Sequence, residues 1–378
     1  MPYAKRSTLP WTITDGRAGN VRQAVALASA LGLGGQQRLQ LQPQAPWRWL
    51  SPRLLPGAAR GFGAQFAQLA GNAPGLAIGC GRQAAGALRV LRQRGSRTVQ
   101  ILDPRIPPRH WDLLVVPDHD RLRADNVLTL LGSLNPVSDD WLAWGRAAFS
   151  SFEQLPGPRT ALLVGGPTDH APWQDDDIQP LFQQLAARIR AEGGSVLATT
   201  SRRTPRAVTA ALLHAFDDVP GVIWADGGDG SNPYAGLLGW ADRIVCTPDS
   251  VNLLSEACAT RVPVGVLLGT RAQERMARFQ QALRERGRLL DGLAAFDADL
   301  GVTVEPLRET TRIAAEVKLR LGPLARHSRE GGVFNRRMSG RRSWLWLWLW
   351  LRFLRTKEEP KHSKCRSKCR SDDPTFVG

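Results

Sequence analysis

Apolar positions follow two alternating rhythms along this chain. Short uninterrupted apolar runs, each closed by a Gly- or Pro-bearing turn, precede longer segments that are apolar along one helical face. The runs predict strands over 9–14, 38–41, 75–79, 98–102, 113–117 and 127–130. The amphipathic segments predict a helix that opens after 15–20 and runs to about 31, with further helices over 58–70 and 82–94. Strands that alternate with helices of this length pair in parallel and build a doubly wound sheet.

The pattern then stops and restarts. Ser133-Leu134-Asn135-Pro136 breaks it, a helix is predicted over 139–152, and Pro156-Gly157-Pro158 breaks it again. Strands follow over 160–164, 195–199, 222–225, 243–246 and 262–267. Helices fall over 175–192, 205–215, 233–241, 249–259, 273–286 and 309–321. The expectation is an α/β protein of two Rossmann-like doubly wound domains that face each other across a cleft. They occupy 1–135 (acceptor side) and 159–325 (donor side), joined by a linker helix region over 136–158. Ligands of such sheets bind at the carboxyl ends of the strands, so the cleft collects the loops of both.

Composition changes this picture mainly at the end of the chain. The formal charge is +16, but residues 326–378 hold 14 Lys and Arg against 5 Asp and Glu, which leaves +7 for the first 325 residues. Lysine is confined to Lys5 and Lys318 before that point, and four lysines crowd into the last 22 residues. The segment 326–378 is therefore expected to be a basic, Trp-rich tail that is disordered or foreign to the body. The high pI then gives little support to nucleic-acid binding by the folded part. Its alternating Trp-Leu run at 344–351, with cations on both sides, also suits a membrane interface. No run of 18 apolar residues exists and 1–10 lacks a secretory apolar core, so a cytoplasmic location is expected, with peripheral contact on the cytoplasmic face of the inner membrane.

Five cysteines are too few and too scattered for a disulfide framework. Cys80, Cys246 and Cys258 sit in or beside apolar runs and read as small buried residues. Cys365 and Cys369 with His362 make an incomplete set of zinc ligands, so no metal is expected.

Four stretches at predicted strand ends can carry chemistry. Thr14-Asp15-Gly16-Arg17-Ala18-Gly19-Asn20 opens a helix straight after a strand. Its glycines admit close backbone approach, the helix start offers free N–H groups, and Arg17 suits a phosphate or carboxylate. Asp15 is either a general base or an ordinary helix cap. Gly165-Gly166 stands at the matching point of the second unit, as a phosphate approach or a plain turn. Ser201-Arg202-Arg203-Thr204-Pro205 is a diphosphate clamp or a solvated Arg pair. The last stretch contains Asn232-Pro233-Tyr234 and then Thr247-Pro248-Asp249-Ser250, where Asp249 and Ser250 are also good helix starters. Glu256 follows on an Ala-, Leu- and Cys-rich helix. A desolvated carboxylate needs partners, and ribose hydroxyls would serve.

Together, 11–20, 201–205, 232–234 and 247–257 resemble the mitochondrial-fission elongated-mitochondria factor family over roughly 9–325, and 117–120 with 126–127 looks like a further family stretch. The resemblance implies a glycosyltransferase of GT-B type. It makes Glu256 the residue that holds the donor's hydroxyls, with Ser250 and Arg202 near the diphosphate. The donor side comprises Gly165, Gly166, Ser201, Arg202, Arg203, Asn232, Asp249, Ser250 and Glu256, and the acceptor or phosphate side comprises Gly16, Arg17, Gly19 and Asn20. Asp15 and His119 are the candidate catalytic bases. One departure is Thr260-Arg261, where GT-B enzymes place a glycine before the Pro-Val strand.

The expected reaction moves a sugar from a nucleoside-diphosphate sugar, the substrate, to a lipid-linked or cell-envelope saccharide acceptor, without a metal or other cofactor. The alternative is a non-catalytic adaptor of the same fold that recruits a protein or membrane. A nucleotide-sugar epimerase or dehydrogenase with a dinucleotide fingerprint and a Tyr-x-x-x-Lys pair is disfavoured. The two tyrosines, Tyr3 and Tyr234, both lack the lysine.

Overall fold

The computed structural model describes residues 9–33 and 35–322. The tail expected over 326–378, with His362, Cys365 and Cys369, lies outside them. The first sheet contains β1 (Trp11–Thr14), β2 (Gln37–Gln40), β3 (Leu76–Cys80), β4 (Arg97–Ile101), β5 (Leu113–Pro117) and β6 (Val127–Leu130). Its order is β2-β1-β3-β4-β5-β6, parallel throughout. Helices α1 (Ala18–Ala30), α2 (Trp47–Leu50), α3 (Ala58–Gly61), α4 (Ala64–Ala70) and α5 (Arg82–Gln93) connect these strands. The single helix expected over 58–70 is two, because Gly63 takes φ +110 between them.

The second sheet contains β7 (Arg159–Val164), β8 (Ser195–Thr200), β9 (Gly221–Trp224), β10 (Arg243–Cys246), β11 (Val264–Val266) and β12 (Leu290–Asp291). Its order is β12-β11-β10-β7-β8-β9, again parallel. Around it lie α6 (Asp139–Ala148), α7 (Asp175–Ala191), α8 (Arg206–Ala215), α9 (Tyr234–Trp240), α10 (Val251–Cys258) and α11 (Glu274–Glu285). The central strands of both sheets are buried apart from the first residues of β4 and β7, as a parallel sheet covered on both faces requires. Two parallel sheets in one chain form the expected GT-B arrangement.

Two segments pack differently from the expected domain limits. The linker region belongs with the second core, where Leu142 of α6 and Phe152 join Leu237, Leu238 and Ile244. The last helix, α12 (Glu309–Leu321), returns to the first sheet, where Ile313, Ala314 and Val317 bury against Leu27, Leu31, Leu76 and Ile78. A carboxylate oxygen of Glu309 accepts the Leu131 amide at 2.9 Å, and Thr310 exchanges two hydrogen bonds with the Asn135 backbone. Amphipathic spacing shows which face of a helix is buried, but not which sheet buries it.

Cys80, Cys246 and Cys258 are buried free thiols, and burial pushes the Cys258 thiol up to about 12. Among the described residues no helix is long and apolar enough to cross a membrane.

Candidate functional site

The site begins at the turn after β1. Asp15 turns its carboxylate onto its own loop, where Oδ1 accepts the Arg17 amide at 3.1 Å and the Asn20 side-chain amide at 2.8 Å. Asn20 in turn accepts a weak bond from the Cys80 thiol, tying α1 to the end of β3. Gly16 takes φ +80, a conformation that favours glycine. Arg17 is largely exposed at the start of α1, which has no side-chain cap. Asp15 thus closes a turn ahead of α1 and does not cap the helix.

The second sheet brings three strand ends together. Gly165 and Gly166 follow β7, Ser201 to Thr204 follow β8, and Thr247 to Ser250 follow β10. The Gly165 amide donates to Thr247 Oγ1 at 2.7 Å and the Gly166 amide to Asp249 Oδ2 at 2.9 Å. A Cβ on Gly165 would run into the Asp249 carboxylate, and one on Gly166 into the Arg203 backbone. The two glycines therefore hold Asp249 in place, and their amides are already engaged. Arg203 reaches Asp249 Oδ2 at 3.2 Å, and Ser201 Oγ accepts the Arg203 amide. Among the described residues Asp249 Oδ1 has no hydrogen-bond partner. Burial raises the Asp249 pKa above the usual carboxylate range, against Thr247, the Gly166 amide and Arg203.

Ser250 caps α10 by accepting the Leu253 amide at 3.3 Å. Ahead of α9, which has no side-chain cap, Asn232 closes a turn by accepting the Tyr234 amide at 2.9 Å. Arg202 is exposed on its loop.

Glu256 is 2 % exposed and its partners come from the chain itself. Oε1 lies 2.7 Å from Arg22 Nε, and Oε2 accepts the Tyr234 hydroxyl at 2.5 Å. The Arg22 guanidinium also lies over the Tyr234 ring, 4.8 Å from its centre. Burial raises the Glu256 pKa, with Arg22 and Tyr234 opposing it, and burial beside Glu256 raises the Tyr234 phenol. Arg22 belongs to α1 of the first domain and Glu256 to α10 of the second, so this pair bridges the two. The same helices meet again where Gly19 abuts Asn252, whose side-chain nitrogen would lie 2.6 Å from a Cβ. The starts of α1 and α10 thus converge, and Arg22 Nη2 has no hydrogen-bond partner among the described residues. Ligand hydroxyls were the expected mates of Glu256; Arg22 and Tyr234 take that place.

His119 is not part of this cluster. It follows β5, is 7 % exposed, and its ring lies 5.5 Å from that of Phe279 on α11. Its carbonyl accepts Arg278, and burial lowers its pKa, so the imidazole is neutral near pH 7. Asp15 and His119 therefore occupy separate settings. Thr260 is buried and Arg261 points outward to Asp139 at 3.0 Å, which accommodates the departure seen before β11.

Arg22 was missed in the sequence, and Asn252 and Tyr234 were noticed only as parts of motifs. Arg22 carried one faint signal, a cation beside Gln23 and Ala24 on the buried side of a helix.

Twin parallel sheets with convergent loops at their carboxyl ends define a GT-B-type protein. The chain belongs to the mitochondrial fission ELM1 family, whose sequence profile matches residues 18–321. It is 30% identical over 280 residues to the mitochondrial fission protein ELM1 of Arabidopsis thaliana, covering 66% of this chain and 64% of that protein's length. An uncharacterized protein of Rickettsia prowazekii is 24% identical over 293 residues, covering 67% of this chain and 81% of its own length. Among solved structures, a UDP-GlcNAc 2-epimerase from Methanocaldococcus jannaschii has a similar fold, with a TM-score of 0.51 at 12% identity, covering 82% of this chain and 100% of that one. The fold by itself does not assign a reaction.

Proposed function

We propose that the chain is a transferase that carries a nucleoside-diphosphate sugar on the rim of the second sheet. The sugar passes to a lipid-linked or cell-envelope saccharide acceptor on the first domain, and the chain works in peripheral contact with a membrane. The observation that carries this reading is the Arg22–Glu256 pair, one turn in from where the starts of α1 and α10 converge. A donor diol competes for Glu256 Oε1 and so frees the guanidinium of Arg22 for the donor's diphosphate.

Arg22, Arg202 and the start of α10 then stabilise the negative charge that grows on the leaving diphosphate. The donor is a substrate, and the reading needs no metal or further cofactor. Of the two candidate bases, Asp15 lies on the rim beside Gly16, whereas His119 is shut behind Phe279. Asp15 is thus the better placed to take a proton from an acceptor hydroxyl.

Calorimetry with UDP, GDP, ADP and CMP tests the reading. Saturable binding by one of them, weakened about tenfold or more in Glu256→Ala, is the expected result. No saturable binding, or unchanged affinity in the variant, overturns it.

A second reading, a non-catalytic adaptor of the same fold, is favoured by one observation. Gly165, Gly166, Ser201 and Asn232 all make hydrogen bonds within the chain. Nucleotide binding without any turnover of the matching donor sugar would support the adaptor over the transferase.

A further inference from the structure

The stretch 16–102 contains eleven arginines and no aspartate or glutamate. Within it the chain leaves the end of β2 and forms α2, and there three large apolar side chains face solvent. Trp49 is 67 % exposed, Leu50 40 % and Leu55 37 %. They are not loose. Arg82, the first residue of α5, donates to the carbonyls of Trp49 and Arg48, and Gln83 adds a 2.7 Å bond to the latter. Arg89 holds the Pro52 carbonyl at 2.7 Å, and Ser51 Oγ donates to the Arg82 carbonyl. Trp47 packs against Gly61 of α3 on the inner side.

A short segment is thus pinned flat across α5. Its main-chain acceptors at 48, 49 and 52 are satisfied from beneath, and its apolar side chains are presented outward. Arg48, Arg53, Arg60 and Arg82 stand exposed around them.

This combination meets the needs of a lipid interface. Trp and Leu enter the boundary between headgroups and acyl chains, backbone groups there must already be bonded, and cations gain from anionic headgroups. We infer that the first domain docks on an anionic phospholipid bilayer through Trp49, Leu50 and Leu55, ringed by these arginines. The inference gives the membrane contact proposed above a surface within the first domain, and to that extent it rests on that reading. Topology puts this surface beside the cleft. Gln40 at the end of β2 lies against Gly16, and Arg82 follows the end of β3. The rim loops of the first sheet therefore open next to the bilayer.

The test uses the full chain and hydrogen exchange, which resolves segments. Vesicles of phosphatidylcholine with about 30% phosphatidylglycerol are added. Protection is expected to rise over 44–60, and much less with phosphatidylcholine alone. In the triple variant Trp49→Ser, Leu50→Ser, Leu55→Ser that protection is lost and vesicle partitioning falls by about tenfold or more. Arg48→Glu with Arg53→Glu does the same without touching the apolar residues. All of these positions are exposed, so melting of both variants matches the parent. Sedimentation with vesicles but no protection over 44–60 overturns the inference, as does equal protection with uncharged lipid or no binding at all. Nucleotide calorimetry remains a separate readout, so failure here leaves the transferase reading standing on its own test.

Discussion

At the residue scale, Glu256 shows how a buried charge is made tolerable. Its carboxylate has a guanidinium on one oxygen and a phenol on the other, and both come from other helices. Removing one partner of such a pair costs more than the pair itself contributes, because a desolvated charge is left behind. Arg22→Ala is therefore expected to cost about 3 kcal/mol near pH 7. The sign of its pH dependence follows from burial, which already holds the Glu256 pKa above its usual 4.5. Without Arg22 that pKa rises further, so the folded variant keeps a proton that the unfolded chain has released. The variant then loses stability as pH rises from the unfolded value through the folded one, and below the unfolded value it approaches the parent. Denaturant titrations of parent and variant across this range check it. A stability gap that stays constant with pH would show that Glu256 does not feel Arg22. Gly165→Ala tests the neighbouring cluster. Its methyl group strikes the Asp249 carboxylate, and a loss of about 2 kcal/mol with weakened nucleotide binding is expected.

At the scale of elements, every expected strand is found within one or two residues, because buried parallel strands write continuous apolar runs into the sequence. β12 is absent from that reading since a strand of two residues leaves no run to detect. The site was legible only in outline. Loops at strand ends could be picked from Gly, Arg and Asp after apolar runs, yet Gly166 meets Asp249 across more than eighty residues, a pairing that no local pattern encodes. Helix α12 teaches the same lesson in packing. Ile313→Ala removes a wholly buried side chain between α12 and the first sheet, and a loss of about 3 kcal/mol is expected. Hydrogen exchange should show the added opening over α1, β3 and α12, with the second sheet keeping its protection. Opening confined to the second sheet would contradict this assignment of α12.

At the scale of the whole molecule, the two domains touch through side chains that belong to the site. Gly19 against Asn252 and Arg22 against Glu256 lie within one turn of the same helix. A wedge at Gly19 should thus disturb ligand binding more than folding. Gly19→Leu is expected to leave the melting temperature within a few degrees of the parent and to weaken nucleotide binding about tenfold, read by calorimetry, with a larger radius of gyration in solution scattering. Unchanged affinity together with an unchanged radius would show that the contact does not govern closure.

Because α12 comes home to the first sheet, the second domain is spliced into the first, and the chain crosses between them twice. The crossings run side by side. Thr310 is bonded to Asn135, and Arg308 grips the Val137 carbonyl and Asp139. A body hung from two adjacent straps can swing about the line through them, but it resists sliding and spinning. Any opening of the cleft is thereby reduced to one angle, and the α1–α10 junction returns to the same register each time it shuts.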